Sequence, residues 1–233
     1  MTYGLPADHD VIAEYREQLD RLGYLIATDF ELGVPFGAHL ADNFFTSQHL
    51  RRYDGDMPID RLRARDVVRY QRFGDDIDLT EHDTVDLPDR DNPTRVRQFD
   101  QTKVLKDEKF VALVTTLLNL VPEERRNSTG TFGINMFRTF TDVVTKPHHD
   151  DEEYVIVYVV AKTAKGGRTQ LLHKYRDEIV LEQELQPGQL IMFRDDIFRH
   201  GTSRLETPTE MCAHRDALIC TVDYPTNHRD CLD

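Results

Sequence analysis

Residues 147–162 read PHHDDEEYVIVYVVAK: two histidines and two aspartates set directly before an eight-residue apolar run, Tyr154 to Ala161. The run predicts a strand, and the polar cluster then sits at its start. Working outward, runs rich in Val, Ile, Phe, Tyr and Thr recur at Thr131 to Thr141, Glu153 to Lys162, Arg168 to Leu172, Glu178 to Leu185, Gln189 to Phe193 and Ala217 to Val222. Turn signals such as Lys165-Gly166-Gly167 and Gln186-Pro187-Gly188 separate them. Closely spaced strands with Gly and Pro turns predict a double-sheet barrel or a jelly roll, the latter a double-stranded β-helix.

Upstream the character is different. Between Asp8 and Ala27, Ile12, Tyr15, Leu19 and Leu22 recur at helical spacing and Gly23 closes the pattern; further helical patterns run from about His39 to Arg52 and from about Leu105 to Leu120. From Asp54 to Asp100 the chain is charged and turn-rich, with Pro58, Pro88, Pro93 and the acidic cluster Asp75, Asp76 and Asp78. That stretch reads as a long loop with one short strand near Val67 to Phe73, either a lid or a solvated connector. The expected class is α+β, one domain over 1–233, in which 1–129 is helical and lid-forming and packs outside a jelly-roll core at 130–225.

The charge balance excludes several functions. With 29 Lys+Arg against 42 Asp+Glu, the net charge is −13 and the pI about 5.2. A chain that coats phosphate carries a basic face, so nucleic acid and an anionic membrane surface are not expected partners. A small-molecule substrate is, with a homodimer possible. Tyr154 to Ala161 is far short of the roughly 20 apolar residues that cross a bilayer. The segment MTYGLPADHD carries no secretory pattern, so a cytoplasmic protein is expected. Cys212, Cys220 and Cys231 are odd in number and lack C-x-x-C spacing, so free thiols are expected.

Two places concentrate histidine at strand ends: His148-His149-Asp150-Asp151, and Arg199-His200-Gly201. In an extended segment residues i and i+2 share a side, so either His148 with Asp150 or His149 with Asp151 presents an imidazole and a carboxylate to one ion. His200 can add a third ligand from a neighbouring strand. Two imidazoles and one carboxylate on one face of an octahedron leave the opposite face open, as in non-haem Fe(II) oxygenases. A cupin-like metal isomerase or small-molecule binding module is the alternative from another class, although Pro187-Gly188 precedes His200 by more residues than such proteins place there. Arg215 shares a strand face with Ala217, Ile219 and Thr221. A guanidinium on such a surface needs an anion, either a salt-bridge partner such as Asp216 or Asp223 or the carboxylate of a ligand.

On the segments GTFGINMFRT, KPHHDDEEYVIVYVV, GGRTQLL, LQPGQLIMFRDDIFRHGTS and HRDALICTVDYP, the chain resembles the 2-oxoglutarate and Fe(II)-dependent dioxygenases over about Gly130 to Pro225. More narrowly it is similar to the branch acting on free amino acids, which includes isoleucine 4-hydroxylase and the lysine halogenases with their hydroxylase relatives. In that branch an H-x-D-x-x-x-(Phe/Tyr)-Val pattern puts the ligating histidine six residues before the aromatic. Counting back from Tyr154 selects His148 and Asp150, with His149 and Asp151 as the alternative register. The resemblance implies Fe(II) held by His148, Asp150 and His200, 2-oxoglutarate reaching Arg215, O2 as co-substrate, and hydroxylation of an unactivated C–H bond with release of succinate and CO2. Halogenases of this branch carry Gly or Ala in place of the aspartate; radical halogenation is thus the alternative within the branch. Arg72, Asn135, Arg138 and Asp151 are the candidate substrate contacts, and Asp151 makes a basic, lysine-like amino acid the first choice.

Overall fold

The computed structural model describes residues 9–52, 61–82, 86–88, 96–98, 102–140, 144–206 and 213–223. The helices are α1 (His9–Leu22), α2 (Gly37–Asn43) and α3 (Glu108–Asn119). The strands are β1 (Tyr24–Thr28), β2 (Arg61–Phe73), β3 (Asp76–Glu81), β4 (Asp86–Pro88), β5 (Val96–Gln98), β6 (Thr129–Thr139), β7 (Thr145–His148), β8 (Tyr154–Lys162), β9 (Lys165–Gly166), β10 (Thr169–His173), β11 (Ile179–Gln183), β12 (Gln189–Arg194), β13 (Phe198–Thr202), β14 (Leu205–Glu206) and β15 (Arg215–Val222). Among them no helix is long and apolar enough to cross a membrane.

α1 ends where Gly23 donates its amide to the Leu19 carbonyl, the glycine stop expected from the spacing, and the chain turns at once into β1. α3 begins at Asp107, whose side chain accepts from the Phe110 amide as an N-cap. Its Phe110, Leu113, Val114, Leu117 and Leu118 are all buried.

A seven-stranded sheet of order β1-β12-β8-β15-β6-β2-β3 faces a four-stranded sheet of order β11-β10-β13-β7. This is the expected jelly roll with helices outside. β8 lies between β12 and β15 and is apolar along nearly its whole length because both its faces are covered. Tyr154, Ile156, Tyr158 and Val160 join the core shared with the helices, while Val155, Val157 and Val159 join a smaller core between the sheets.

The structure corrects the reading of 54–100. β2 is thirteen residues long, pairs with β6 from Arg61 to Gln71, and turns into β3 at Gly74-Asp75. Asp75 occupies that turn and pairs with Arg16 and Arg126, so the acidic cluster marks a hairpin. Residues 53–60 and the rest of the suspected lid outside β4 and β5 lie outside the described residues. Cys220 is a buried free thiol, as expected; Cys212 and Cys231 lie outside the described residues.

Candidate metal centre

His148 closes β7 and stands opposite His200 of β13. Gly201 permits this pairing: a Cβ there would lie 2.8 Å from the Thr145 carbonyl oxygen and 3.2 Å from the Pro147 nitrogen, so any side chain would push the two strands apart. The imidazole centroids are 4.3 Å apart. His148 Nδ1 is 2.9 Å from the Lys146 carbonyl oxygen, which can only accept. Nδ1 therefore carries the hydrogen and Nε2 keeps its lone pair for a metal.

Asp150 follows at the crossing from the smaller sheet to the larger. Its Oδ1 lies 3.5 Å from His148 Nε2 and its Oδ2 3.5 Å from His200 Nε2. Among the described residues, His148, Asp150 and His200 form the group whose ligand atoms fall within 4.8 Å of one another. The donor set, two imidazole nitrogens and one carboxylate, suits a ferrous ion. The other register is spent elsewhere: His149 Nδ1 lies 2.8 Å from Asp151 Oδ1, in a pair whose side chains are 41% and 74% exposed.

Asp195, in the turn joining β12 to β13, organises the centre and was not anticipated. The successive amides of Asp150 and Asp151 donate to its Oδ2 at 2.7 and 2.8 Å. Asp151 adopts a left-handed φ of 65°, which lets neighbouring N–H groups converge on one anion. The other oxygen is 3.6 Å from His200 Nδ1, too long for a hydrogen bond but close enough for charge attraction to the ring. Burial pushes this carboxyl up, and His200 with the two amides outweigh it, so it titrates below the ordinary carboxylate range. One carboxylate thus bears on two of the three ligands. The signal available in the sequence was an acid five residues before the second histidine, in RDDIFRH.

Arg215 opens β15 and is buried, and its Nε and Nη2 have no hydrogen-bond partner among the described residues. The suggested salt bridges do not form. Asp216 takes Arg138, and Asp223 accepts from Tyr70 and Asn127. Burial first, then the nearby charge of Arg61, lowers the Arg215 pKa to about 10, which still leaves it cationic at neutral pH. A buried cation in this state needs an anionic ligand. Thr169, 1% exposed and with an unpartnered hydroxyl, belongs to the same strip of β10. A Cβ at Gly167 would sit 3.5 Å from Arg215 Cδ, and Leu171 stands opposite His200, so the strip leads from the arginine to the metal ligands. Four residues of strand span about 13 Å.

The remaining candidates separate by face. Asn135 is buried on the side of β6 toward the smaller sheet, and its Oδ1 has no partner among the described residues. Arg138 is on the opposite face, where it forms a two-pronged pair with Asp216 at 2.7 and 2.6 Å and donates to the Phe45 carbonyl. Arg72 also points outward and ties β2 to the end of α3 through Asn119 Oδ1 and the Leu118 carbonyl. Both arginines hold the helix layer, because a strand's alternation sends even-numbered residues there. Asp151 is turned to solvent with His149, which removes the acidic partner expected for a basic substrate.

The model of the 2OG-Fe dioxygenase family matches residues 47–221 of the chain. No curated protein sequence matches the chain. Solved structures share its fold: a bsmA homolog from Methylobium petroleophilum PM1 has a TM-score of 0.74 at 18% identity, with 94% of each chain covered. IDO from Bacillus thuringiensis has a TM-score of 0.68 at 19% identity, covering 92% of this chain and 100% of that one. A prolyl-4-hydroxylase from Pseudomonas putida has a TM-score of 0.56 at 12% identity, with 92% and 100% covered. The family match runs from before β2 nearly to the end of the last strand, through each candidate metal ligand and Arg215, and the chain accordingly belongs to the 2OG-Fe dioxygenases, enzymes that use Fe(II), 2-oxoglutarate and O2.

Proposed function

We propose that this dioxygenase hydroxylates an unactivated C–H bond of a small free amino acid. One observation carries the choice of hydroxylation: Asp150 stands between His148 and His200, a carboxylate oxygen toward each Nε2, in the position a coordinated halide would need. Fe(II) with 2-oxoglutarate and O2 supplies the oxidising chemistry. The protein's own part is to hold the metal through His148, Asp150 and His200, to bind the distal carboxylate of 2-oxoglutarate at Arg215 beside Thr169, and to keep His200 and the Asp150 loop in place through Asp195. The amino-acid substrate is supported by Asn135, whose buried side-chain carbonyl oxygen offers an acceptor for an amine.

The test is turnover with Fe(II), 2-oxoglutarate and O2 in high chloride, screened across the proteinogenic amino acids for succinate. The product should gain one oxygen by mass. A chlorine isotope pattern would overturn hydroxylation, and succinate release with no amino acid above the background rate would overturn the substrate class.

A further inference from the structure

Two polar side chains lie buried on neighbouring strands of the large sheet, both on its inner face. Thr221 of β15 is 2% exposed and Asn135 of β6 8%, and neither the Thr221 hydroxyl nor the Asn135 side-chain oxygen has a hydrogen-bond partner among the described residues. Alternation fixes their face. Leu218, Cys220 and Val222 belong to the core shared with the helices, as do Ile134 and Met136, so Thr221 and Asn135 point the other way. In the β6–β15 ladder Asn135 pairs with Ile219 and Gly133 with Thr221, which makes Asn135 and Thr221 diagonal neighbours about 7–8 Å apart.

The ground around them is apolar. Gly133 has no side chain, and the partners of these positions across the ladders are Val67, Val155, Val157 and Ile219, none of which carries a side-chain hydrogen-bonding group. An oxygen buried without a partner costs stability, so two of them on adjacent strands mark a place that a ligand completes. The pair also borders the metal centre. Thr221 pairs with Val155 and Val155 with Phe193, whose ring centroid is 5.0 Å from that of His200. Neighbouring strands lie about 4.8 Å apart, so Thr221 is about 10 Å from Phe193 across the sheet.

We propose that Thr221 joins Asn135 as a substrate-binding residue and that the two oxygens together seat the substrate's α-amino group. Asn135 Oδ1 can only accept, so the group it meets must donate. An ammonium has three hydrogens and serves both oxygens at once, whereas a hydroxyl has one and a methylene has none. The substrate class is therefore a compound with a free primary α-amine, in preference to the corresponding hydroxy acid or the unsubstituted acid. The seat rests on the amino-acid hydroxylase reading above and deepens it, adding the residue and the chemical group on which the choice of substrate turns.

The experiment uses the anaerobic complex of the protein with Fe(II) and 2-oxoglutarate, whose weak visible charge-transfer band shifts when substrate enters. L-Leucine, L-glutamine and L-lysine are titrated beside isocaproate, glutaramate and ε-aminocaproate, which lack only the α-amine. At least one amino acid should half-saturate the shift at a concentration about tenfold or more below its analogue, as for hydrogen bonds to a charged group. Thr221→Val keeps the shape and removes the hydroxyl. It should erase that preference and hold the 2-oxoglutarate requirement within about twofold of wild type. The metal-free variant should melt at the same temperature or higher, because a buried polar group without a partner has been removed. Thr221→Ser should retain the preference. A lower melting temperature for Thr221→Val, an unchanged preference in that variant, analogues binding as tightly as their amino acids, or no response to any of the six compounds would overturn the seat. An amine-dependent shift followed by a product lacking the added oxygen would leave the seat standing and remove only the hydroxylase reading. Oxygen added equally well to the analogues would overturn the seat and leave hydroxylation standing.

Discussion

The two faces of the seven-stranded sheet are built from the same strands and behave as two different materials. On the outer face Phe132, Ile134 and Met136 of β6 share one dry core with Phe110, Leu113 and Leu117 of α3. One residue out of phase, Gly133, Asn135, Phe137 and the arginines of β2 face the smaller sheet, and the β8–β12 end of that space is filled by apolar side chains such as Val155, Val157 and Phe193. Charge on the outer face is mostly consumed in fixed pairs, as with Arg138 and Asp216, whereas Arg215 on the inner face stays without a partner among the described residues. Stability is therefore concentrated on one side and chemistry on the other, so substitutions should sort by the parity of their position along a strand.

The largest effect tests the inner face. Alanine at His148, Asp150 or His200 should abolish Fe(II) binding and turnover while leaving the melting temperature of the metal-free protein nearly unchanged, and His149→Ala should keep substantial activity. Unfolding of these variants, or a fatal loss at His149, would show that the faces are not separable as described. On the outer face, Phe110→Ala should cost about 3–5 kcal/mol in denaturant unfolding, since it opens a cavity in the dry core. The folded fraction should keep its 2-oxoglutarate requirement.

Asp66 sharpens the contrast, because it is a carboxylate placed on the apolar side. Burial raises its pKa from 3.8 to about 6, against the opposing amides of Val104, Val67 and Lys103. Between those values the folded chain retains a proton that the unfolded chain has released. Its contribution is thus favourable at low pH and is lost as pH rises through the window, costing about 3 kcal/mol by neutrality. Asp66→Asn should flatten the stability difference between pH 4 and pH 7; an unchanged slope would mean that this carboxyl is not desolvated. The smallest effect concerns Asp195. Asp195→Asn keeps the shape but weakens the hold on the two amides and on His200, and Fe(II) affinity measured by equilibrium titration should fall about tenfold to a hundredfold, as for other groups that orient metal ligands. An unchanged affinity would reduce Asp195 to a turn residue.

Much of the site could be read from the chain itself. An H-x-D before an apolar strand, a second histidine after a Pro-Gly turn and a later arginine on an alternating strand are local patterns, and local patterns survive into the fold because strand periodicity is a property of the backbone. Only the second half of the long strand β2 was legible, for the same physical reason in reverse. RLRARDVVRYQRF alternates as a strand should, but its first inner positions are arginines that face the space between the sheets, so a reading by hydrophobicity finds the strand only from Val67 onward.

The sequence by itself determined the ligand types, their spacing and the alternation of each strand. Only the tertiary structure decided which of the two H-x-D registers meets His200, and that Asp195 gathers the Asp150 loop. It also decided that Arg72 and Arg138 are spent on the helix layer while Arg61, Arg63 and Arg65 line the inner space. The reason is that alternation says two residues lie on opposite faces but carries no information about what covers either one. That is set by which distant strand or helix packs there, here β7 against β13 on one side and α3 on the other.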